Sequence, residues 1–147
     1  MSETTSIAGG VGIAAALAAV GLLGAPWYEA TFASGTPGSP LAVTEVTAWE
    51  VLDGEDIAIA ILTGAAALCL FAAVVASSPG YSLAGGVLAV PAAGLVLYRI
   101  LDTPGSDVAN REVDVLVAGW LTLAAVAVLL FVCLYVSRTI PGRGESP

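Results

Sequence analysis

A run of carboxylates stands just before the second of four apolar segments, in Asp53-Gly54-Glu55-Asp56. Carboxylate oxygens bind hard cations such as Ca²⁺, so Asp53, Glu55 and Asp56 are a candidate cation site. The spacing lacks the loop pattern of an EF-hand. The same acids would also cap a helix that begins there and complement its dipole. This second interpretation needs no metal, and it is the one we expect.

Aromatic and charged side chains stand at the ends of the apolar segments. Aromatic residues there form a belt at the lipid headgroups or a surface for a partner. Arg99 ends the third segment and could pair locally with Asp102, or extend its charge into water. We also consider that Arg99 reaches Glu29 or Glu50 and fixes the long first loop onto the helices. The candidate interaction cluster is Trp27, Tyr28, Glu29, Trp49, Glu50, Arg99 and Asp102.

Residues for catalysis are scarce. The chain has no His, which removes the commonest general base and metal ligand. Cys69 and Cys133 lie inside apolar runs, as small packing residues do. With the helix bounds predicted below, their depths differ by roughly 9 Å, too far for a disulfide. We predict no enzyme activity and no cofactor.

Composition favours a membrane protein. Of 147 residues, 58% are hydrophobic and only 11% are charged, whereas soluble domains have about a quarter charged. The apolar excess must face something other than water, and lipid is the natural partner. The net charge of −8 disfavours nucleic acid, because little would neutralise phosphates.

Four continuous apolar segments each have the length to cross the bilayer as helices. They cover about residues 7–25, 57–76, 83–100 and 115–136. The fold predicted is an all-α membrane protein, a single antiparallel bundle of four transmembrane helices. The first segment lacks a basic flank and has Leu23 near its end, so we expect a retained helix rather than a signal peptide.

The connections predict a small extracytoplasmic cap. In the outer loop 26–56, β-prone runs 28–32 and 41–46 flank a turn-rich stretch 33–40, which favours a hairpin. Thr47 and Glu50 fit a capping box that opens a helix of about one and a half turns. Residues 77–82 form a tight turn. The outer loop 101–114 begins with a turn at Asp102-Thr103-Pro104-Gly105, and Ser106 or Asp107 could cap an early start of the fourth helix.

Helices in lipid associate through close backbone contact, so small residues should mark either the contacts within a compact bundle or an oligomer interface. Pro91 should bend the third helix. Hydroxyls at membrane depth, such as Thr63 and Thr122, should bond to their own helix. The small-residue stripes are Gly10, Ala14 and Ala18; Ala60 and Gly64; Gly85, Ala89 and Ala93 with Gly86 and Gly94; and Ala118 and Ala125.

Orientation depends on few charges. The two sides of the bundle carry two Arg each, so the positive-inside rule gives almost no preference for either orientation. Arg138 follows directly on a helix end, and the long structured loop is typical of the outside. We therefore predict a cell-membrane protein with both termini in the cytoplasm.

Four short stretches together resemble a family of small four-span membrane proteins from high-GC bacteria and halophilic archaea. Thr103-Pro104-Gly105 stands where that family tends to have Pro-Pro-Gly. The family has no assigned activity, and the resemblance implies that Trp27, Trp49, Arg99 and Asp102 belong together. The stretches are Pro26-Trp27-Tyr28, Thr47-Ala48-Trp49-Glu50, Tyr98-Arg99-Ile100-Leu101-Asp102-Thr103-Pro104-Gly105 and Ala118-Gly119-Trp120-Leu121.

These observations favour a non-catalytic structural or accessory protein in the lipid bilayer. It would present an acidic, aromatic outer face to a membrane-protein partner or to a second copy as a homo-oligomer. The alternative is a small transporter or channel for an apolar or lipid-like molecule. The spans have no ionisable residue near their middle, which counts against proton coupling. This transporter or channel could act as an oligomer. A continuous polar-lined or lipid-filled cavity between the spans would favour it, whereas closure by Ala and Gly contacts would not.

Overall fold

The computed structural model describes residues 3–32, 42–51, 54–103 and 111–140. Predicted features outside these ranges are the hairpin turn 33–40, Asp53, and the stretch 104–110 with Pro104, Gly105, Ser106 and Asp107. The elements in chain order are α1 (Glu3–Leu22), β1 (Pro26–Phe32), β2 (Ala42–Thr47), α2 (Ala48–Val51), α3 (Glu55–Ala76), α4 (Pro79–Leu101), β3 (Arg111–Val115) and α5 (Val117–Thr139).

Four long helices coincide with the four predicted segments, and each is long and apolar enough to cross a membrane. Their ends differ from the predicted ones by a few residues. The turn between α3 and α4 is only Ser77 and Ser78. Ser77 has a left-handed φ of 48° and its N–H donates to the Ala73 carbonyl, while Pro79 occupies the first turn of α4, where a missing N–H costs nothing.

The long helices form a ring in which α1 packs on α3 and α5, and α4 also packs on α3 and α5. α1 and α4 therefore occupy opposite corners of the bundle. α3 and α4 are antiparallel because their connection is too short for any other arrangement. We call the end of the bundle that carries the strands the cap end, and the opposite end the far end.

Small residues make up much of the bundle core, although the stripe predicted on α1 does not face it. Gly10, Ala14 and Ala18 are exposed. The buried face of α1 carries other small residues, namely Gly9, Gly12, Ala16 and Ala19. Small residues cover most of this helix, so their spacing could not distinguish its two faces.

The small residues of α4 do reach the core as predicted. Gly85 and Ala89 are buried there. A Cβ on Gly85 would lie 2.9 Å from the Ala66 carbonyl oxygen of α3, so the two backbones are in close contact. Of the other predicted positions, Gly94 is exposed and Ala60, Gly64, Ala93, Ala118 and Ala125 are partly buried.

The predicted depth difference between the two cysteines is wrong. α3 begins two residues earlier and α5 two residues later than predicted, which reduces the difference to roughly 3 Å. Both side chains approach Gly85, whose added Cβ would lie 3.2 Å from Cys133 Sγ and 3.3 Å from Cys69 Cβ. Both thiols are free.

The hydroxyls inside the bundle behave in three ways. Thr122 donates to the carbonyl of Ala118 in its own helix, at 2.8 Å, as predicted. Thr63 is fully buried and its hydroxyl has no hydrogen-bond partner among the described residues, so the same prediction is wrong for Thr63. Ser82 of α4 donates to the Cys133 carbonyl of α5 at 2.5 Å, a bond between helices that the sequence did not suggest.

The strands form one antiparallel sheet in the order β2-β1-β3. The predicted hairpin supplies β1 and β2. β3 was not predicted, because residues 111–115 were assigned to a loop and to the start of the fourth helix. That helix begins only at Val117, so the proposed early start is wrong. The fold is thus mostly helical with a three-stranded sheet, rather than all-α.

Candidate functional site: the cap

The cap, which comprises β1, β2, α2 and β3, is fixed to the bundle by the first residues of β1. The Trp27 indole nitrogen donates to the Leu22 carbonyl at the end of α1, at 2.8 Å. The Tyr28 hydroxyl donates to the Arg99 carbonyl near the end of α4, at 3.0 Å. The last carbonyls of a helix have no partner within it. Two consecutive side chains therefore satisfy carbonyls at the ends of two diagonally opposite helices.

A third helix joins through the backbone, since the Leu116 N–H before α5 donates to the Trp27 carbonyl at 2.7 Å. Trp27 and Tyr28 are 0% and 1% exposed. They pack into an apolar cluster that closes the cap end of the bundle. Its buried members are Leu23, Trp27, Tyr28, Ala48, Ile59, Val96 and Ile100.

This burial corrects the predicted roles of Trp27 and Tyr28. Neither side chain can belong to a lipid-facing belt or touch a partner from outside. Burial also raises the pKa of Tyr28 to about 12, although the nearby Arg99 guanidinium acts in the opposite direction. The two residues hold the site in position and do not form its surface.

Arg99 pairs with Glu55 at the start of α3, through both its Nε and an Nη atom. The predicted partners Glu29 and Glu50 are therefore wrong. The guanidinium also lies 5.5 Å from the centre of the Tyr98 ring. Arg99 does help to hold the loop, but through its backbone carbonyl, which accepts the Tyr28 hydroxyl. Asp102 is exposed and within hydrogen-bonding reach of the Tyr98 hydroxyl.

Glu55 and Asp56 lie in the first turn of α3, as the dipole interpretation expects, but the N-cap of the helix is Gly54 rather than an acid. Glu55 pairs with Arg99. Asp56 is 4% exposed and accepts from the Gly54 N–H at 3.2 Å. In the described part of the chain, no three His, Cys, Asp or Glu side chains lie close enough together to hold a metal ion.

The capping box at α2 is confirmed in its main feature. One carboxylate oxygen of Glu50 accepts from the Thr47 N–H at 2.9 Å and from the Thr47 hydroxyl at 3.0 Å. Both bonds lower the pKa of Glu50, and the bond from the Thr47 N–H has the larger effect. The helix is a single turn, Ala48–Val51. It holds Trp49 outward, 47% exposed, with its indole nitrogen 3.7 Å from where a Cβ on Gly24 would lie.

The two faces of the sheet differ in polarity. Residues directly opposite in a sheet share a face, and alternate residues along a strand point to opposite faces. Tyr28, Val46 and Val115 are opposite one another and pack toward the bundle. The next row, on the outward face, places Glu29 opposite Glu45 on one side and Asp114 on the other.

This acidic row, Glu45, Glu29 and Asp114, crosses all three strands. Glu45 and Asp114 are exposed and Glu29 is half-buried. Like charges directly opposite destabilise a sheet. None of the three carboxylates forms a hydrogen bond or ion pair with a side chain that the structure describes. Of these three acids, the candidate interaction cluster predicted from the sequence includes only Glu29. Glu45 and Asp114 come to lie beside Glu29 through strand pairing alone.

The chain was compared with known families and proteins. No family model matches it, and a search of curated proteins found no match.

Proposed function

We propose that this protein is a non-catalytic cell-membrane protein whose four helices anchor the cap at the extracytoplasmic surface. Support comes from four helices that are long and apolar enough to span a bilayer and from the cap sealed onto one end of them. Arg138 in the last turn of α5 favours the far end, with both termini, on the cytoplasmic side. Membership of the small four-span family resembled by the sequence is part of the same proposal.

The acidic row is the observation that carries the functional part of the proposal. Three carboxylates face outward across a sheet at a cost in stability, and no described side chain neutralises them. A basic segment of a membrane or extracytoplasmic protein would do so. Two copies of this acidic face would repel each other, so the charge favours a different protein over a homo-oligomer at this surface.

The test replaces the acidic row by its amides, Glu29→Gln, Glu45→Gln and Asp114→Asn together. The probe is an oligolysine peptide, presented to the protein in uncharged lipid nanodiscs. Binding should weaken at least about tenfold and lose most of its salt dependence. The matched control, Glu3→Gln, removes one charge at the far end and should bind like the parent protein.

Thermal unfolding separates this role from a structural one. Relief of repulsion across two pairs should stabilise the triple variant by about 0.4–2 kcal/mol. A variant that is more stable but binds less supports an interaction surface. Unchanged peptide binding by the triple variant would contradict the proposal, and so would equal weakening in Glu3→Gln.

A small transporter for an apolar or lipid-like molecule is the second candidate. One observation favours it, an apolar groove of about 440 Å³ between α1 and α3, lined in part by Leu17, Gly64 and Phe71. The groove opens sideways, whereas the cap end of the bundle is closed. Transfer of a fluorescent phospholipid between leaflets of proteoliposomes, abolished by Gly64→Leu, would favour this candidate over the first.

A further inference from the structure

Five exposed Trp and Tyr side chains lie near the two ends of the bundle. Trp49 of the cap, Tyr98 of α4 and Trp120 of α5 are at the cap end, and about half of each side chain is exposed. Tyr81 of α4 and Tyr135 of α5 are at the far end and similarly exposed. We call these two sets the cap rim and the far rim.

The spacing of the rims is similar on two helices. Tyr81 and Tyr98 are 17 positions apart on α4, and Trp120 and Tyr135 are 15 positions apart on α5. These separations correspond to about 26 Å and about 23 Å. Between the rims, the exposed side chains of both helices are all apolar. Charged residues lie just outside, with Arg99 beyond one rim and Arg138 beyond the other.

α3 gives a similar dimension, although it carries no Trp or Tyr. Its exposed apolar face runs from Ile57 to Val75, which is about 27 Å. Glu55 lies just outside this face and pairs with Arg99. The ion pair therefore lies at the level of the cap rim.

Trp49 differs from the other rim residues because it comes from the cap. Its place is fixed by the capping box between Thr47 and Glu50 and by the turn that follows α1, where its indole lies near Gly24. Ala48 beside it is fully buried. The one-turn helix thus holds an exposed indole at the corner of the bundle that belongs to α1.

We propose that the partner of the two rims is a phospholipid bilayer with a hydrocarbon core of about 25 Å, somewhat thinner than the usual ~30 Å. Trp and Tyr rings favour the headgroup level, so the rims fix the depth of the bundle. Trp49 makes the cap rest on the headgroups beside α1. This inference rests on the membrane placement proposed above.

The three Trp residues allow a direct test in phosphatidylcholine vesicles whose acyl chains carry bromine either near the headgroup or near the chain end. Trp120→Phe leaves Trp49 as the exposed indole, and Trp49→Phe leaves Trp120. The double variant leaves only the buried Trp27. In both single variants, shallow bromine should quench at least about twofold more than deep bromine. The double variant should be quenched little by either lipid.

The outcomes separate the inference from the membrane placement. Failure of the protein to float with the vesicles would overturn both. Flotation with stronger quenching of Trp120 by deep bromine would overturn the proposed position of the rims at the headgroups but not the membrane placement. Flotation with Trp49 unquenched by both lipids would show that the cap does not rest on the headgroups.

Bilayer thickness supplies a second measurement on the unaltered protein. Thermal stability should be highest in phosphatidylcholine whose hydrocarbon core is near 25 Å, and should fall in longer-chain lipids as mismatch grows. A stability that keeps rising as the lipid chains lengthen would overturn the proposed thickness.

Discussion

Two neighbouring glycines on α4 should respond oppositely to the same substitution. A Cβ on Gly85 would lie 2.9 Å from the Ala66 carbonyl oxygen, with the two cysteine side chains at 3.2 and 3.3 Å. A Cβ on Gly86 would meet its nearest atom, Cys133 Cβ, at 3.7 Å, which is ordinary van der Waals contact. Gly85→Ala must therefore separate α3 from α4, whereas Gly86→Ala fills available space.

The expected change in the free energy of unfolding follows from the difference between the Gly85 and Gly86 sites. Overpacking against backbone costs about 1–3 kcal/mol. Both substitutions also remove a helical glycine, worth up to about 1 kcal/mol, and that gain cancels when the two variants are compared. The free energy of unfolding should thus be about 1–3 kcal/mol lower for Gly85→Ala than for Gly86→Ala.

The assay is thermal unfolding in detergent micelles, followed by circular dichroism. A difference of 1 kcal/mol corresponds to about 2–4 °C in Tm for a chain of about this size. Gly94→Ala is a second control, because nothing lies within 4 Å of its added Cβ. If Gly85→Ala proved as stable as Gly86→Ala, the close contact of α3 with α4 would be refuted.

Three further outcomes are expected. Tyr28→Phe removes the donor to the Arg99 carbonyl and should raise the rate of proteolysis in the cap about fivefold. Arg99→Ala keeps that carbonyl and should raise the rate less. A larger increase for Arg99→Ala than for Tyr28→Phe would refute this anchor. The pKa of Tyr28 is raised to about 12, so its neutral form stabilises the fold fully below pH 10 and this stabilisation is lost between pH 10 and about 12. The free energy of unfolding should therefore fall across that pH range, and Tyr28→Phe should abolish this fall. Ser82→Ala removes the hydrogen bond to Cys133 and should lower stability by about 0.6 kcal/mol, while the control Ser137→Ala, whose bond stays within α5, should not.

The cap and the bundle depend on each other through few residues. β1 satisfies backbone groups at the ends of α1, α4 and α5 with Trp27 and Tyr28. A short sheet is marginal on its own, so the bundle gives this one the apolar surface that it needs. The bundle in turn gains a closed end. For this reason we propose a platform for binding rather than a path for transport.

Features that repeat along a helix or depend on a few neighbouring residues could be predicted from the sequence. A lipid-crossing helix needs a continuous apolar run of fixed length, and four such runs are visible without any structure. The capping box is equally local, because Thr47 and Glu50 are three positions apart and meet in one turn. The hairpin strands were predictable for the same reason, since turn chemistry separates two β-prone runs.

Tertiary structure decided what depends on partners far apart in the chain. β3 alternates charged and apolar residues, yet it becomes a strand only by pairing with β1, and the acidic row exists only because of that pairing. The burial of Trp27, the choice of Glu55 as partner of Arg99, and the buried face of α1 likewise depend on which helices meet. Local pattern constrains a segment by its period and length, whereas these contacts are selected by the packing of the whole bundle.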